Sequence, residues 1–178
     1  MARRSVWAPA SSSACLRPML MPPDAGMSAR ERARIHATVI AVGEAGILIR
    51  GASGTGKSTL ALAVIALASQ AGRFARLVAD DRTELLATGD RLVARPVAPL
   101  EGIVERRGLG LTPEPHTGAV VVRLLVDLAA EEPARMPEPE DLVDNLSGID
   151  LPRLRMTGRA GDERLALNAL DLFTEAER

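Results

Sequence analysis

Apolar and polar positions change rhythm at residue 34. Over residues 1–27 no period is sustained, because Pro9, Pro18, Pro22 and Pro23 interrupt every apolar run. Proline fixes φ and removes a backbone donor, so neither helix nor strand is expected there. Residues 1–30 therefore read as a disordered tail, or as an upstream extension with Met27 as the true start. From Arg34 onward branched apolar residues take over. Ile35–Val42 reads as a strand, Gly43–Gly46 as a turn and Ile47–Arg50 as a second strand. Gly51–Gly56 is a glycine-rich loop. Ser58–Ala71 contains neither glycine nor proline and stops at Gly72, the signature of a helix with a glycine end. Its apolar residues lie nearly all round, so it is expected to be buried on most sides.

Beyond the helix strands predominate. Arg76–Ala79 is a short strand running into Asp80-Asp81. Thr83–Ala87 and Arg91–Ala94 flank Thr88-Gly89-Asp90 as a hairpin. Pro96 and Pro99 mark a loop before Leu100–Glu105, and residues 107–118 read as irregular. Ala119–Leu128 is a strong strand, Ala129–Glu140 an acidic loop, Ile149–Met156 one more strand and Glu163–Phe173 a final helix. Strand and helix alternate only around the glycine loop. The expectation is an α/β P-loop domain over residues 31–178, with a mixed β-sheet.

Charge and composition narrow the function. Among 178 residues, 22 basic and 23 acidic side chains leave a net charge of −1. Such a chain carries no general field for nucleic acid or an anionic membrane. Trp7, Phe74 and Phe173 are the only aromatic residues, which leaves almost nothing on which bases would stack. Cys15 is the only cysteine, which excludes an internal disulfide and a multi-cysteine zinc site. No apolar run reaches the roughly 18 residues of a membrane span. Arg3-Arg4 is followed by no uninterrupted apolar core, so no secretory signal is read and the cytoplasm is the expected compartment.

Gly51-Ala52-Ser53-Gly54-Thr55-Gly56-Lys57-Ser58 fits the phosphate-loop pattern G-x-x-x-x-G-K-[ST] in full, between a predicted strand and a predicted helix. Glycines let backbone N–H groups converge on phosphate oxygens, and the helix N-terminus adds partial positive charge. Lys57, the only lysine in the chain, would reach the β- and γ-phosphates. Ser58 offers a hydroxyl to Mg²⁺. The competing reading is a glycine-rich turn that merely caps a helix.

Such a loop needs a carboxylate at a nearby strand end, to hold the cation or take a proton. Asp80 and Asp81 follow the next strand, and in a parallel arrangement strand ends line one crevice. The plainer alternative is that they shape a turn. Glu84, Glu101 and Glu105 are further candidates that physics alone does not separate. His36 opens the first strand, where a lone histidine is ordinarily structural, and His116 sits in a proline-rich loop.

Taken together, the segments resemble the catalytic domain of HPr kinase/phosphorylase, a bacterial enzyme that phosphorylates a serine of the phosphocarrier HPr and can remove that phosphate. The resemblance rests on Ile35-His36-Ala37-Thr38-Val39, the GASGTGKS loop, Arg76–Arg82 with its LVADD core, Glu105–Leu111, and Ala134-Arg135-Met136-Pro137. The 21-residue step from His36 to Lys57 and the 25-residue step from Asp80 to Glu105 agree with the family as well. It covers residues 34–140 well and the remainder loosely.

The resemblance implies roles that composition and spacing do not. Asp80 would be the general base, and the acid in reverse. Lys57 would stabilise the phosphoryl group in flight. Ser58 and Glu105 would bind Mg²⁺. His36 and Arg135 would contact phosphate as active-site residues, and Arg106–Leu111 would meet HPr. The implied activity is ATP- and Mg²⁺-dependent serine phosphorylation of HPr in a sugar or nitrogen phosphotransferase system. Phosphorolysis of phosphoserine to pyrophosphate would be its reverse, and the family's hexamer would be the assembly.

Four features depart from the family. Its long form carries a further N-terminal domain, so this chain resembles the short form. Thr59 stands where the family usually has an acidic residue, and Thr112–Gly118 and the C-terminal segment are abbreviated. Two other functions fit the phosphate loop: a kinase or nucleotidase for a small molecule, and a non-catalytic nucleotide sensor. Transfer of phosphate to a metabolite separates the first, and tight binding without turnover the second.

Overall fold

The computed structural model describes residues 32–175. The tail expected over residues 1–30 lies outside them, as does Cys15. In chain order the elements are β1 (Arg32–Ile35), β2 (Thr38–Val42), β3 (Ala45–Gly51), α1 (Lys57–Gln70), β4 (Ala75–Ala79), β5 (Thr83–Thr88) and β6 (Arg91–Pro96). They continue with β7 (Ile103–Arg106), β8 (Gly110–Pro113), β9 (Val120–Leu128), a short 3₁₀ turn (Pro139–Leu142), β10 (Val143–Leu146), β11 (Ile149–Met156) and α2 (Asp162–Glu175).

One sheet runs β1-β5-β6-β9-β3-β2-β4. Its pairings are mixed, as expected: β9 lies parallel to β3, and β2 is antiparallel to both β3 and β4. β11 runs parallel to Leu125–Leu128 of β9, while β6 pairs with Val120 and Val121 at the other end of that strand. β7 and β8 form a separate hairpin.

All five residues of β2 are buried because both faces of the sheet are covered. Ile40, Val42, Ile47, Ile49, Leu124 and Val126 pack beneath the helices, against Leu60, Val64, Leu167 and Leu170. Val39, Ala41, Leu48, Leu85, Leu92, Val122 and Leu125 form a second core on the opposite face. Strand alternation thus feeds two cores at once. α1 is covered by the sheet and by α2, which accounts for the apolar residues on nearly all its sides.

The structure corrects two expectations and adds two features. Ile35–Val42 is not one strand: it breaks at His36-Ala37, where the chain changes partners from β5 to β3 and β4. Residues 107–118 are not wholly irregular, because β8 folds back on β7 through the positive-φ glycines Gly108 and Gly110. β10 is a further strand, paired with β11. The strand after α1 does not lie beside the strand before it, since β2 stands between them. Both are antiparallel to β2 and hence parallel to each other, so Gly51 and Ala79 still end at one edge of the sheet.

Candidate active site

The phosphate loop takes the shape its glycines permit. Gly54 and Gly56 have φ of 81° and 94°, values that side chains rarely adopt. Thr55 Oγ1 donates to the Ala52 carbonyl at 2.8 Å and closes the loop on itself. α1 begins directly after Gly56 with no side-chain cap and no acidic residue in its first turn. Helix N-termini usually recruit such groups, so the free N–H groups and the positive end of the helix dipole are left for an external anion.

Lys57 is 5% exposed and is turned back into the loop. Its ammonium donates to the carbonyls of Gly51 and Ala52 at 3.1 and 3.2 Å, and lies 2.8 Å from His36 Nε2. His36 reaches it from the break between β1 and β2. That break is one side of a corner. The ladder pairs Val39 with Ala79 and, four residues along on each chain, Ile35 with Thr83. Between those pairs both chains leave the sheet, His36-Ala37 on one side and Asp80-Asp81-Arg82 on the other. Asp81 takes φ of 62°, a conformation aspartate tolerates better than most residues. The Thr83 hydroxyl donates to the Ala37 carbonyl at 2.9 Å and ties the corner together.

The corner divides the two carboxylates. Asp80 is 6% exposed, and its Oδ1 accepts the hydroxyls of Ser58 at 2.8 Å and of Thr38 at 2.7 Å. Asp81 is half exposed, with Oδ1 3.8 Å from His36 Nε2. It lines a cleft with Ser53, Gly54, Lys57, Ser58, Glu105 and Arg107. It also borders an adjoining hollow formed with Arg34, His36 and Arg82. The resemblance singles out Asp80 as the base, and the geometry sets Asp81 beside it as a second candidate. The buried carboxylate sits beneath Ser58, and the neighbour that reverses the chain faces both hollows.

The remaining expected residues divide. Glu105, exposed on β7, shares the cleft with Ser58. Arg107 joins them, a residue the sequence placed only in a partner loop. Arg135 is exposed on the loop after β9 and makes no side-chain hydrogen bond or ion pair with any described residue. His116 is exposed. A further hollow, lined by Arg73, Arg91, Glu44 and Asp171, opens at the other end of the sheet, where β2 turns into β3.

Arg50, the residue before Gly51, is braced on the sheet face opposite the helices. It makes two hydrogen bonds to Asp127 at 2.7 and 2.8 Å and one to Asp144 at 2.6 Å, and Arg153 bonds the same Asp127 at 2.6 Å. Burial by itself raises the Asp127 carboxyl, but the two guanidinium partners outweigh it and hold the group below its ordinary value. Hydrogen bonding to Asp127 raises Arg50 in turn.

No cluster of three or more His, Cys, Asp or Glu among the described residues is arranged to hold a metal. The cleft offers the Ser58 hydroxyl and two separated carboxylates, Asp81 and Glu105. That donor set fits a Mg²⁺ that arrives on a phosphate chain, because Mg²⁺ keeps waters and uses few protein carboxylates.

Residues 28–114 match the family described as the HPr Serine kinase C-terminal domain. The HPr kinase/phosphorylase of Enterococcus faecalis is 29% identical over 141 residues, 73% of this chain and 43% of that protein. That of Geobacillus thermodenitrificans is 32% identical over 138 residues, 71% of this chain and 43% of that protein. The chain thus spans less than half the length of these relatives. The solved structure of the Hpr(Ser) kinase/phosphatase from Coxiella burnetii superposes with a TM-score of 0.61 at 23% identity, over 82% of this chain and 90% of that one, which establishes a shared fold.

Proposed function

We propose that this chain, whose residues 28–114 match the family of the HPr serine kinase C-terminal domain, is an ATP- and Mg²⁺-dependent protein serine kinase domain acting on HPr. The observation that carries the reading is the single cleft in which Lys57, Ser58, Asp81 and Glu105 meet. The phosphate loop supplies cation and amides to the β- and γ-phosphates. Bound Mg²⁺ would offset charge on the phosphates, held by Ser58 with Glu105 across the cleft.

A serine hydroxyl is a weak nucleophile at neutral pH, so a carboxylate must take its proton as it attacks. Asp81 holds that position in this reading, and Asp80 keeps Ser58 oriented. The serine oxygen forms a bond to the γ-phosphorus, the bond from that phosphorus to the bridging oxygen breaks, and ADP leaves. In reverse, inorganic phosphate attacks phosphoserine, and the same carboxylate returns its proton to the departing oxygen, giving pyrophosphate. Lys57 and His36 sit where the transferred group passes, and Arg135 is supplied from the loop after β9 as a further phosphate contact. The β7–β8 hairpin presents Arg107, Leu109 and Leu111 to HPr. The cytoplasm, a phosphotransferase system and a homohexamer complete the reading.

The experiment is transfer of labelled γ-phosphate from ATP and Mg²⁺ to HPr, with Lys57→Ala, Asp80→Asn and Asp81→Asn in parallel. Label on an HPr serine, abolished by Asp81→Asn, is the expected result. Full transfer by Asp81→Asn would return the base to Asp80. ATP binding without label on HPr would overturn the reading.

A further inference from the structure

Thr38 breaks the apolar run of its own strand. The rest of β2 is Val39, Ile40, Ala41 and Val42, and Thr38 is as fully buried as they are. A hydroxyl costs free energy in that setting unless it is bonded. Its one bond is the 2.7 Å contact to Asp80 Oδ1, the same oxygen that Ser58 reaches at 2.8 Å. Asp80 Oδ2 accepts no hydrogen bond from any described residue. Among the described residues no fully buried side-chain polar atom lacks a partner, so that oxygen keeps contact with solvent. The carboxylate is thus locked, with one oxygen turned to two hydroxyls and the other outward.

We propose that Thr38 is a positioning residue of the cation site. By fixing Asp80 Oδ1, it sets the acceptor that takes the Ser58 proton. A serine whose proton is committed to Asp80 turns its lone pairs toward the cleft, where a cation on a phosphate chain would sit. Without the Thr38 hydroxyl the carboxylate gains a rotor, and the Ser58 hydroxyl loses its fixed direction. This inference rests on the proposed reading that Ser58 serves the cation.

The test is ATP binding by the full chain, measured calorimetrically across a Mg²⁺ series and in EDTA, for wild type, Thr38→Val and Thr38→Ser. Thr38→Val keeps shape and drops the hydroxyl; it is expected to need about tenfold more Mg²⁺ for half of the Mg²⁺-dependent gain in affinity, the scale of one hydrogen bond to a charged group. In EDTA its affinity is expected to stay within about twofold of wild type, and Thr38→Ser should restore the Mg²⁺ response. In a Ser58→Ala background the added Thr38→Val is expected to shift the Mg²⁺ dependence by less than about twofold, because the route through Ser58 is gone. An unchanged Mg²⁺ response in folded Thr38→Val, or an equal effect in the Ser58→Ala background, overturns the proposal. If Thr38→Val does not melt cooperatively, Thr38→Ala is measured under the same criteria. Wild type that binds ATP without any Mg²⁺ response would strike the underlying reading of Ser58, and this inference with it.

Discussion

Lys57 Nζ lies 2.8 Å from His36 Nε2, joining the phosphate loop to the corner between β1 and β2. An ammonium has only donors, so the ring nitrogen facing it is an acceptor and the imidazole proton sits on Nδ1. Lys57 is aimed by three acceptors, the other two being the Gly51 and Ala52 carbonyls. His36→Ala removes the only side chain among them. Phosphoryl transfer is expected to fall by roughly tenfold, as the loss of one hydrogen bond to a charged donor would cause. His36→Gln, which can offer an amide oxygen, should recover part of it. Steady-state transfer rates check both, and a wild-type rate in His36→Ala would mean that the carbonyls alone orient Lys57.

Two loop glycines separate shape from strain. A Cβ on Gly51 would stand 2.7 Å from Thr55 Oγ1 and 2.9 Å from the Leu128 carbonyl, a backbone atom that cannot swing aside. Gly51→Ala therefore pushes on the β3–β9 contact itself and is expected to lower stability by about 2 kcal/mol, together with ATP affinity. A Cβ on Gly54 meets nothing within 4 Å, although φ is +81°. Gly54→Ala is expected to weaken ATP binding through backbone strain, at a smaller cost of about 1 kcal/mol in stability. Thermal melting beside ATP titration tells the two apart.

The parts legible in the sequence are those set by local pattern. The loop and α1 follow from glycine spacing and an uninterrupted helical run, and β11 spans Ile149–Met156 as its composition indicates. The corner was not legible, because Ile35–Val42 is apolar apart from His36 and Thr38, and only the partners of each half reveal the break. The division between Asp80 and Asp81 depends on the left-handed turn at Asp81, which a paired Asp-Asp does not announce. Thr38 carried a weak signal, a lone hydroxyl in an apolar strand. β8 was hidden by two glycines that read as loop and serve as the hairpin's turn.

The brace behind the loop makes stability depend on acid. Asp127 is held below its ordinary value in the folded chain by Arg50 and Arg153, against the opposing effect of burial. A carboxylate depressed on folding stabilises above its unfolded value, and that contribution is lost as pH falls through the folded value. The melting temperature is therefore expected to drop in acid, beginning near the ordinary carboxylate range. Asp127→Asn should flatten part of that drop. At neutral pH it leaves Arg50 and Arg153 short of a partner, at a cost of about 2 kcal/mol for a part-buried network. Melting curves from neutral pH down to the acid limit check both signs; an Asp127→Asn curve parallel to wild type would remove Asp127 from the acid response.

The β7–β8 hairpin offers apolar surface that the fold does not use. Leu109 is 74% exposed and Leu111 69% exposed. The hairpin is held in shape from behind: Arg106 donates to Glu114 at 2.6 Å and to Thr112 at 2.9 Å. A rigid support under exposed leucines, beside the cleft that holds Glu105 and Arg107, suits recognition of a protein acceptor better than recognition of a metabolite. Leu109→Ser and Leu111→Ser are expected to raise KM for HPr by about tenfold, with kcat and ATP affinity unchanged. Because both side chains are exposed, stability should move by less than about 0.5 kcal/mol. A fall in kcat at constant KM would instead tie the hairpin to the chemical step through its neighbours Glu105 and Arg107. Unchanged kinetics in both variants would place HPr on another surface and shift the search to the hollow bordered by Arg34, His36 and Arg82.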